Sequence, residues 1–190
     1  SPHLLALPVD GTNYQAHPTA GKRGMAQKPI FSKVVKGTGG AVSGAGTADI
    51  DLGVDGIVDP VLVGQGGFGA VYRAEQPALG RTVAVKILSA PGLDDRTRDR
   101  FARECMAIGA LSGHPHIVTV YDSGINAWGR PYIVMDHMSR GSMADRIARS
   151  GAMPWPDAVE IAIKISGAVA TAHSATILHR DIKPPNVLMS

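Results

Sequence analysis

Two stretches of the sequence carry residues whose types and spacing could do chemistry. The first is the glycine-rich run Gly64–Val71, which is followed by Lys86 in an apolar segment. The second is His179–Asn186, in which a carboxylate, a lysine ammonium and a carboxamide follow one another closely. Glycines let a backbone lie close over a ligand, and an ammonium attracts phosphate. The first stretch is therefore typical of a site for a phosphorylated ligand.

The glycine run is compatible with several structures. A dinucleotide-binding turn would need a helix after it, whereas a strand-like segment and the turn Pro77–Gly80 follow, which excludes that site. A P-loop would need Gly-Lys-Ser/Thr, and the dipeptide Gly21-Lys22 is followed by Arg23 instead. A flexible hairpin tip and a hairpin that covers phosphates both remain.

The segment Val83–Lys86 favours the phosphate-covering hairpin. Side chains alternate across a strand, so Ala84 and Lys86 share one face. The small Ala84 leaves room for a flat ring, and the ammonium beyond it can reach phosphates. A half-buried lysine needs a partner, and Glu104 on the following helix is a candidate. The alternative for Lys86 alone is an ordinary surface lysine.

The run His179-Arg180-Asp181-Ile182-Lys183-Pro184-Pro185-Asn186 makes the pattern specific. A glycine loop, a strand lysine and this run, in this order, resemble a eukaryotic-type protein kinase. The chain is most similar to bacterial serine/threonine kinases, above all actinobacterial ones. The resemblance covers roughly residues 54–190.

The resemblance implies ATP and Mg²⁺ as cofactors. It places the glycine loop over the phosphates, Val71 and Ala84 around the adenine, and Met135 at the back of the pocket. The backbone of Asp136 and Met138 would hydrogen-bond the adenine edge. The residues implied at the nucleotide are Val63, Gly64, Gln65, Gly66, Gly67, Phe68, Gly69, Ala70, Val71, Ala84, Lys86, Met135, Asp136, Met138 and Ser142, the last near the ribose.

The resemblance also implies the catalytic residues. Lys86 would hold the α- and β-phosphates through an ion pair with Glu104, and Asn186 would bind Mg²⁺. Asp181 would orient the substrate hydroxyl and accept its proton. Lys183 matches the serine/threonine branch of the family, in which it steadies the γ-phosphate. The implied partner is a protein substrate with a serine or threonine acceptor.

The sequence predicts that a sheet followed by helices positions these residues. Apolar runs between Gly- and Pro-rich turns predict antiparallel strands, and apolar residues at helical spacing predict two long helices. We expect an α+β, protein-kinase-like fold: an antiparallel five-stranded N-lobe with one helix, and the first helices of an incomplete helical C-lobe. The predicted strands include Val61–Val63, Val71–Tyr72, Val83–Leu88, Ile117–Tyr121 and Tyr132–Met135, and the predicted helices are 94–111 and Pro156–Ala175.

Charge and composition divide the 190-residue chain. Residues 1–48 hold five basic residues and one acidic residue, a net charge of +4, whereas residues 49–190 hold fourteen and fifteen, a net charge of −1. We predict a disordered basic tail with a Gly-rich linker over residues 1–48, a kinase N-lobe and hinge over 49–138, and the start of a C-lobe over 139–190. Because the basic residues are scattered, we do not expect nucleic acid binding.

Hydrophobic residues make up 44% and charged residues 18% of the chain, which excludes collagen, a coiled coil and disorder throughout. Cys105 is the only cysteine, so no internal disulfide can form. No apolar run approaches the ~20 residues that span a bilayer. The sequence predicts a cytoplasmic protein without a membrane span.

The resemblance stops before the Asp-Phe-Gly segment that the family carries after this point. We therefore expect a fragment that is catalytically incompetent alone, since the missing aspartate binds Mg²⁺. We also expect the apolar helix Pro156–Ala175 to offer an exposed face to a partner. The alternative to an enzyme is a non-catalytic kinase-like module that binds nucleotide or a partner.

Overall fold

The structure, a computed structural model, describes residues 3–5, 50–66, 69–89 and 95–190. Short 3₁₀ helices lie at Pro77–Leu79 and Pro184–Asn186. The strands and helices, in chain order, are β1 (His3–Leu5), β2 (Val58–Gly66), β3 (Gly69–Gln76), β4 (Arg81–Leu88), α1 (Asp95–Gly109), β5 (Val120–Ile125), β6 (Pro131–Asp136), α2 (Met143–Ser150), α3 (Trp155–Ser174) and β7 (Val187–Met189).

Five strands form one antiparallel sheet in the order β2-β3-β4-β6-β5. The central strand β4 is rich in β-branched residues, which fit a pleated surface with neighbours on both sides. Five consecutive residues of this strand, Val83–Ile87, are buried. The register places Lys86 opposite Val71 on β3 and Ile133 on β6. The predicted five-stranded α+β fold class is confirmed.

The two larger clusters of buried side chains among the described residues hold the structure together. One lies within the sheet and includes Val83, Val85 and Val134. The other joins the sheet to the helices, because it contains Ile108 of α1, Ile133 of β6, and Ala168 and Ala172 of α3. The sheet and the first helices of the second lobe therefore share apolar contacts.

Helix α3 is less buried than its composition suggests. Ile161, Ala168 and Ala172 form its buried face. Val159 and Ile163 are 48% and 67% exposed. Only one face of the helix packs on the described residues, and its other face offers apolar side chains to solvent, as the sequence predicts. No helix within the described ranges has both the length and the apolar character needed to cross a membrane.

Two local elements differ from the sequence expectations. The strand predicted at Ile117–Tyr121 is β5, Val120–Ile125, because a turn holds Ile117 by a 3.1 Å hydrogen bond from its N–H to the His114 carbonyl. Helix α2 was not predicted, although Ser142 and Asp145 form a capping box at its start.

Strand β7 is paired on both sides. The segment before α2 lies along one side, since Met189 N–H donates to Gly141 O at 2.8 Å and Arg140 N–H to Met189 O at 3.2 Å. On the other side β1 pairs antiparallel, with Leu4 opposite Leu188. Within residues 1–48, expected to be disordered, His3–Leu5 thus form a strand, and the remaining positions lie outside the described residues.

Buried Asn126 fastens the β5–β6 hairpin to the segment before the sheet. Its Nδ2 donates to Leu52 O at 2.8 Å, and its Oδ1 accepts from the N–H groups of Trp128 and Arg130 at 3.1 and 2.8 Å. Asn126→Ala leaves these groups without their partners, and we expect it to lower the free energy of unfolding by about 2 kcal/mol in urea denaturation. Arg130→Ala, at an exposed position of the same hairpin, is the control and should change it by less than about 0.5 kcal/mol. A loss in Asn126→Ala no larger than in this control would contradict the assignment.

Candidate functional site

A cleft of about 390 Å³ lies between the sheet and the start of the second lobe. Most of its wall is apolar, with side chains from β3, β4, β6 and β7. The cleft wall also carries two polar groups that can bind charged ligands. They are Lys86 of β4 and Asn186 of the short 3₁₀ helix before β7. The two residues are far apart in sequence, so the fold alone brings them to one cavity.

Most residues expected at the nucleotide line this cleft: Val63, Gly64, Val71, Ala84, Lys86, Met135, Asp136, Met138 and Ser142. Gly67 and Phe68 lie outside the described residues. The part of the lining that the structure describes does not include Gln65, Gly66, Gly69 or Ala70, nor the expected catalytic residues Glu104, Asp181 and Lys183.

The glycine loop returns into β3 through Gly69, whose φ is +145°. A Cβ at this position would collide with the carbonyl oxygen of Ile87 on the neighbouring strand. The position therefore requires glycine for both its backbone conformation and its packing. The absence of a side chain at Gly69 lets β3 approach β4, the strand that carries Lys86, this closely.

Lys86 and Glu104 are both buried charged residues, 5% and 8% exposed. Burial of an isolated charge is costly, so such groups are found with compensating partners. Both side chains have polar or electrostatic partners in the structure. Their mutual ion pair stays a prediction of the family resemblance.

The segment before Asn186 turns sharply at Arg180, whose φ is +57°. This left-handed conformation is strained for a residue with a Cβ, and it persists only where the surroundings fix it. His179, 1% exposed, supplies one such contact, because its Nδ1 accepts a hydrogen bond from Asp181 N–H at 3.2 Å. The buried imidazole therefore anchors the backbone of Asp181.

The Asp181 side chain is held through one oxygen. Lys183 Nζ lies 2.7 Å from Oδ2, and Asn186 Nδ2 donates to the same oxygen at 3.0 Å and to Asp181 O at 2.7 Å. All hydrogen bonds to this carboxylate within the described residues fall on Oδ2. Oδ1 thus remains able to accept a proton or a hydrogen bond.

The carboxamide of Asn186 is 1% exposed, and its two ends differ. Its Nδ2 is bonded to Asp181, whereas its buried Oδ1 has no hydrogen-bond partner among the described residues. A buried amide oxygen at the edge of a cleft is a suitable ligand for a hard cation such as Mg²⁺. The residues present therefore fit the expected metal ion. No group of three or more His, Cys, Asp or Glu side chains in the described part of the chain is arranged as a metal site by itself.

Ser142 lines the cleft, but its hydroxyl is engaged. Asp145 Oδ2 accepts from Ser142 N–H at 2.8 Å and from Ser142 Oγ at 2.7 Å, and Asp145 N–H is 3.2 Å from Ser142 Oγ. Gly141, with φ +74°, precedes this box, and a Cβ there would meet Asp145 Oδ2 at 2.9 Å. The ribose contact expected of Ser142 therefore competes with helix capping.

Sequence reasoning missed several residues of the cleft. Asp145, Val118, Pro185 and Leu188 line it, and no role at the nucleotide was expected of them. Asp145 was recognisable, since the pattern Ser-x-x-Asp marks a helix start. Leu188 was not, because its place in the cleft depends on the pairing of β7 with the segment after the hinge.

Two titratable groups near the cleft have shifted pKa values. Burial raises the pKa of the Cys105 thiol to about 11, and the neighbouring Glu104 charge adds to this effect. Burial lowers the pKa of His137, which lines the cleft, and the Arg73 charge lowers it further. Both groups are therefore neutral at pH 7.

Comparison with known proteins shows which family this stretch of the chain matches. The family model described as "Protein kinase domain" matches residues 58–190. Serine/threonine-protein kinase PknK of Mycobacterium tuberculosis is 46% identical over 141 residues, which are 74% of this chain and 12% of that protein. Serine/threonine-protein kinase PksC of Streptomyces coelicolor is 37% identical over 137 residues, 68% of this chain and 24% of that protein. The chain therefore spans a small part of the length of these relatives.

Solved structures show the same likeness. The crystal structure of the PknI kinase domain of Mycobacterium tuberculosis, in its C20A mutant, has a TM-score of 0.61 and 32% sequence identity. The match covers 74% of this chain and 58% of that kinase domain.

The reactivity of Cys105 tests whether its thiol is buried beside Glu104, because burial raises the thiol pKa. At pH 8 a thiol with a pKa of about 11 is ionised to about one part in a thousand, and the thiolate is the reactive form. We expect alkylation by iodoacetamide to be at least about 100-fold slower in the native chain than in urea. Mass spectrometry measures the alkylation of Cys105 over time. Alkylation of the native chain as fast as that of the unfolded chain would contradict the burial of this thiol.

Proposed function

Since the chain belongs to the protein kinase family, we propose that it forms the ATP-binding part of a serine/threonine protein kinase. Such an enzyme transfers a phosphoryl group from ATP to a protein hydroxyl. The observation that carries the proposal is that Lys86 and Asn186, which are far apart in the sequence, line the same cleft. The names of the similar bacterial proteins support the serine/threonine class.

The apolar part of the cleft suits the adenine ring. Val71 and Ala84 lie on the sheet side, and Leu188 lies on the side of the second lobe. Flat apolar walls favour a base by burial, while backbone groups fix its orientation. We assign this hydrogen bonding to the hinge backbone at Asp136 and Met138, in line with the family resemblance.

The polar part of the cleft suits the phosphates and the metal. The Lys86 ammonium would bind the phosphate oxygens, with Glu104 fixing its position. Asn186 would bind Mg²⁺ through Oδ1, since that oxygen has no hydrogen-bond partner among the described residues. The ion supplies neutralisation of phosphate charge when bound.

Asp181 would handle the proton of the acceptor hydroxyl. Lys183 and Asn186 hold Oδ2, which leaves Oδ1 to orient the hydroxyl and accept its proton. Lys183 has three N–H donors, so it can bind Asp181 and also a γ-phosphate oxygen. The proposed acceptor is a serine or threonine of a protein, and the proposed location is the cytoplasm, where ATP is plentiful.

Replacement of Lys86 tests the phosphate site. Lys86→Met keeps the length of the apolar stem and removes the charge-assisted hydrogen bonds, which contribute about 1.5–3 kcal/mol each. We expect Mg²⁺-ATP to bind at least about tenfold more weakly by isothermal titration calorimetry.

Lys164→Met is the matched control, because Lys164 pairs with Glu160 on α3 and is not part of the described cleft lining. This variant should bind as the wild type does, and a melting curve should show that both variants are folded. Equal affinities in the two variants would contradict the role of Lys86, and a wild-type chain that binds no Mg²⁺-ATP would contradict the proposed function.

Replacement of Asn186 tests the metal site. Asn186→Ala removes Oδ1, so the increase in ATP affinity that Mg²⁺ produces should fall by about tenfold, while binding of metal-free ATP changes little. Asp181→Ala loses the hydrogen bond from Asn186 Nδ2 to Asp181 Oδ2, keeps the bond to the Asp181 carbonyl and keeps the Asn186 oxygen, so it should retain most of the Mg²⁺ effect. Titrations with and without Mg²⁺ at equal ionic strength measure it. An undiminished Mg²⁺ effect in Asn186→Ala would remove Asn186 from the metal site.

A further inference from the structure

We propose that Tyr121 and Arg81 position the hinge for the base of the nucleotide by holding the side chain of Asp136. The hinge is the segment 136–138, whose backbone is the proposed partner of the adenine edge. The inference rests on the proposed function and adds to it two positioning residues, which lie outside the described lining of the cleft. Neither residue belongs to a motif that marks it in the sequence.

Tyr121 is the extra residue of a β-bulge in β5. Its two neighbours in β5 pair with consecutive residues of β6: Val120 with Met135, and Asp122 with Val134. Tyr121 therefore has no register partner on that strand. An extra residue bends its strand and directs its side chain out of the regular alternation, and such bulges are frequent beside functional sites.

A cation covers the face of the Tyr121 ring. The guanidinium carbon of Arg81 lies 3.5 Å from the ring centroid, within the range of cation–π attraction. Gln76 on β3 fixes this guanidinium, because its Oε1 accepts a hydrogen bond from Arg81 Nε at 2.7 Å. The ring is thus held by a neighbouring strand although Tyr121 is 36% exposed.

The hydroxyl end of Tyr121 reaches the first residue of the hinge. The side chains of Tyr121 and Asp136 are hydrogen-bonded, and the Arg81 charge is near. Burial raises the pKa of Tyr121 above its usual value, and the Asp136 charge adds to this effect. The phenol therefore keeps its proton at neutral pH and donates it to the carboxylate, which makes the bond charge-assisted.

Asp136 is held at its backbone as well as at its side chain. Its N–H donates to Thr119 O at 3.0 Å. Thr119 and Tyr121 flank Val120, which lines the cleft. One short segment of the chain therefore fixes both the backbone and the carboxylate of the residue at which the hinge begins.

The cluster of Arg81, Tyr121 and Asp136 lies at the base end of the cleft. Asp136 is opposite Val83, which follows Arg81 by two residues, and the next residue of β4 is Ala84 of the cleft wall. Lys86, at the proposed phosphate end, lies further along the same strand. A change in the cluster should therefore act on the base rather than on the phosphates.

A hinge that is fixed beforehand binds a base more tightly than a loose one. Hydrogen bonds weaken steeply as their angle departs from linearity, so the hinge backbone must be correctly oriented. Ordering a segment at the moment of binding also costs conformational entropy, and a segment that is already ordered avoids this cost.

Tyr121→Phe tests the inference, because it keeps the ring beside Arg81 and removes only the hydroxyl. Isothermal titration calorimetry on the 190-residue chain measures the dissociation constants of Mg²⁺-ATP, adenosine and Mg²⁺-tripolyphosphate. We expect the variant to bind ATP and adenosine about fivefold more weakly, and tripolyphosphate within about twofold of the wild type. A merely structural role would weaken the binding of all three ligands alike or of none.

Tyr132→Phe is the matched control. The Tyr132 hydroxyl donates to Asp122 Oδ2 at 3.0 Å, so this variant loses a hydrogen bond of the same kind in the same sheet. Tyr132 is not part of the described cleft lining, and the three affinities should stay at their wild-type values. Melting curves should show that both variants are folded.

Two replacements of Asp136 test the other end of the bond. Asp136→Asn keeps an oxygen that can accept from Tyr121, so it should retain most of the affinity for adenosine. Asp136→Ala removes the acceptor and should lower this affinity about as much as Tyr121→Phe does. The double variant Tyr121→Phe/Asp136→Ala should bind adenosine no more weakly than the weaker single variant, because both changes remove the same bond.

Three results would overturn the inference while leaving the proposed function intact: a Tyr121→Phe variant that binds ATP and adenosine as the wild type does, a Tyr132→Phe variant that loses as much affinity for them, and losses that add in the double variant. A wild-type chain that binds none of the three ligands would overturn the proposed function, and this inference with it.

Discussion

Burying a lysine ammonium on the central strand of an apolar sheet is a strong constraint on a fold. Such a charge is tolerated only with compensating groups nearby, since its transfer from water is costly. Lys86 is 5% exposed on β4, and the acidic Glu104, 8% exposed, lies on the helix that follows this strand. A fold that buries this ammonium must compensate its charge, and in this structure Lys86 has such a partner and lines the cleft.

The opposite side of the cleft is built from backbone pairing around β7. The left-handed turn at Arg180 and the buried His179 fix the backbone of Asp181, and the Asn186 carboxamide fixes its side chain. Pairing of the segment after the hinge with β7 then carries Asp145 to the cleft floor. One short strand thus connects the expected base and the expected metal ligand with the capping box of α2.

Much of this arrangement could be predicted from the sequence, because its signals are local. The glycine run, the alternation around Lys86 and the spacing of Asp181, Lys183 and Asn186 predicted the family and the fold class. Burial of α3 could not be judged locally, since it depends on which elements pack against it. The pairing of β1 with β7 and the place of Leu188 in the cleft arise from contacts between distant segments, for which the local pattern gives no sign. Asp145 carried a visible capping signal, but its place in the cleft lining follows only from the fold.

The central claim is that the Lys86 ammonium lies at the phosphates of a bound nucleotide. An acyl-phosphate derivative of ATP tests it directly, because the derivative transfers its acyl group to a lysine amine beside the phosphates. Peptide mass spectrometry of the wild-type chain should find the acyl group on Lys86, with or without Lys183, and excess Mg²⁺-ATP should suppress the labelling. Acylation of Lys164 at a similar level, with Lys86 unmodified or its labelling indifferent to ATP, would contradict the account.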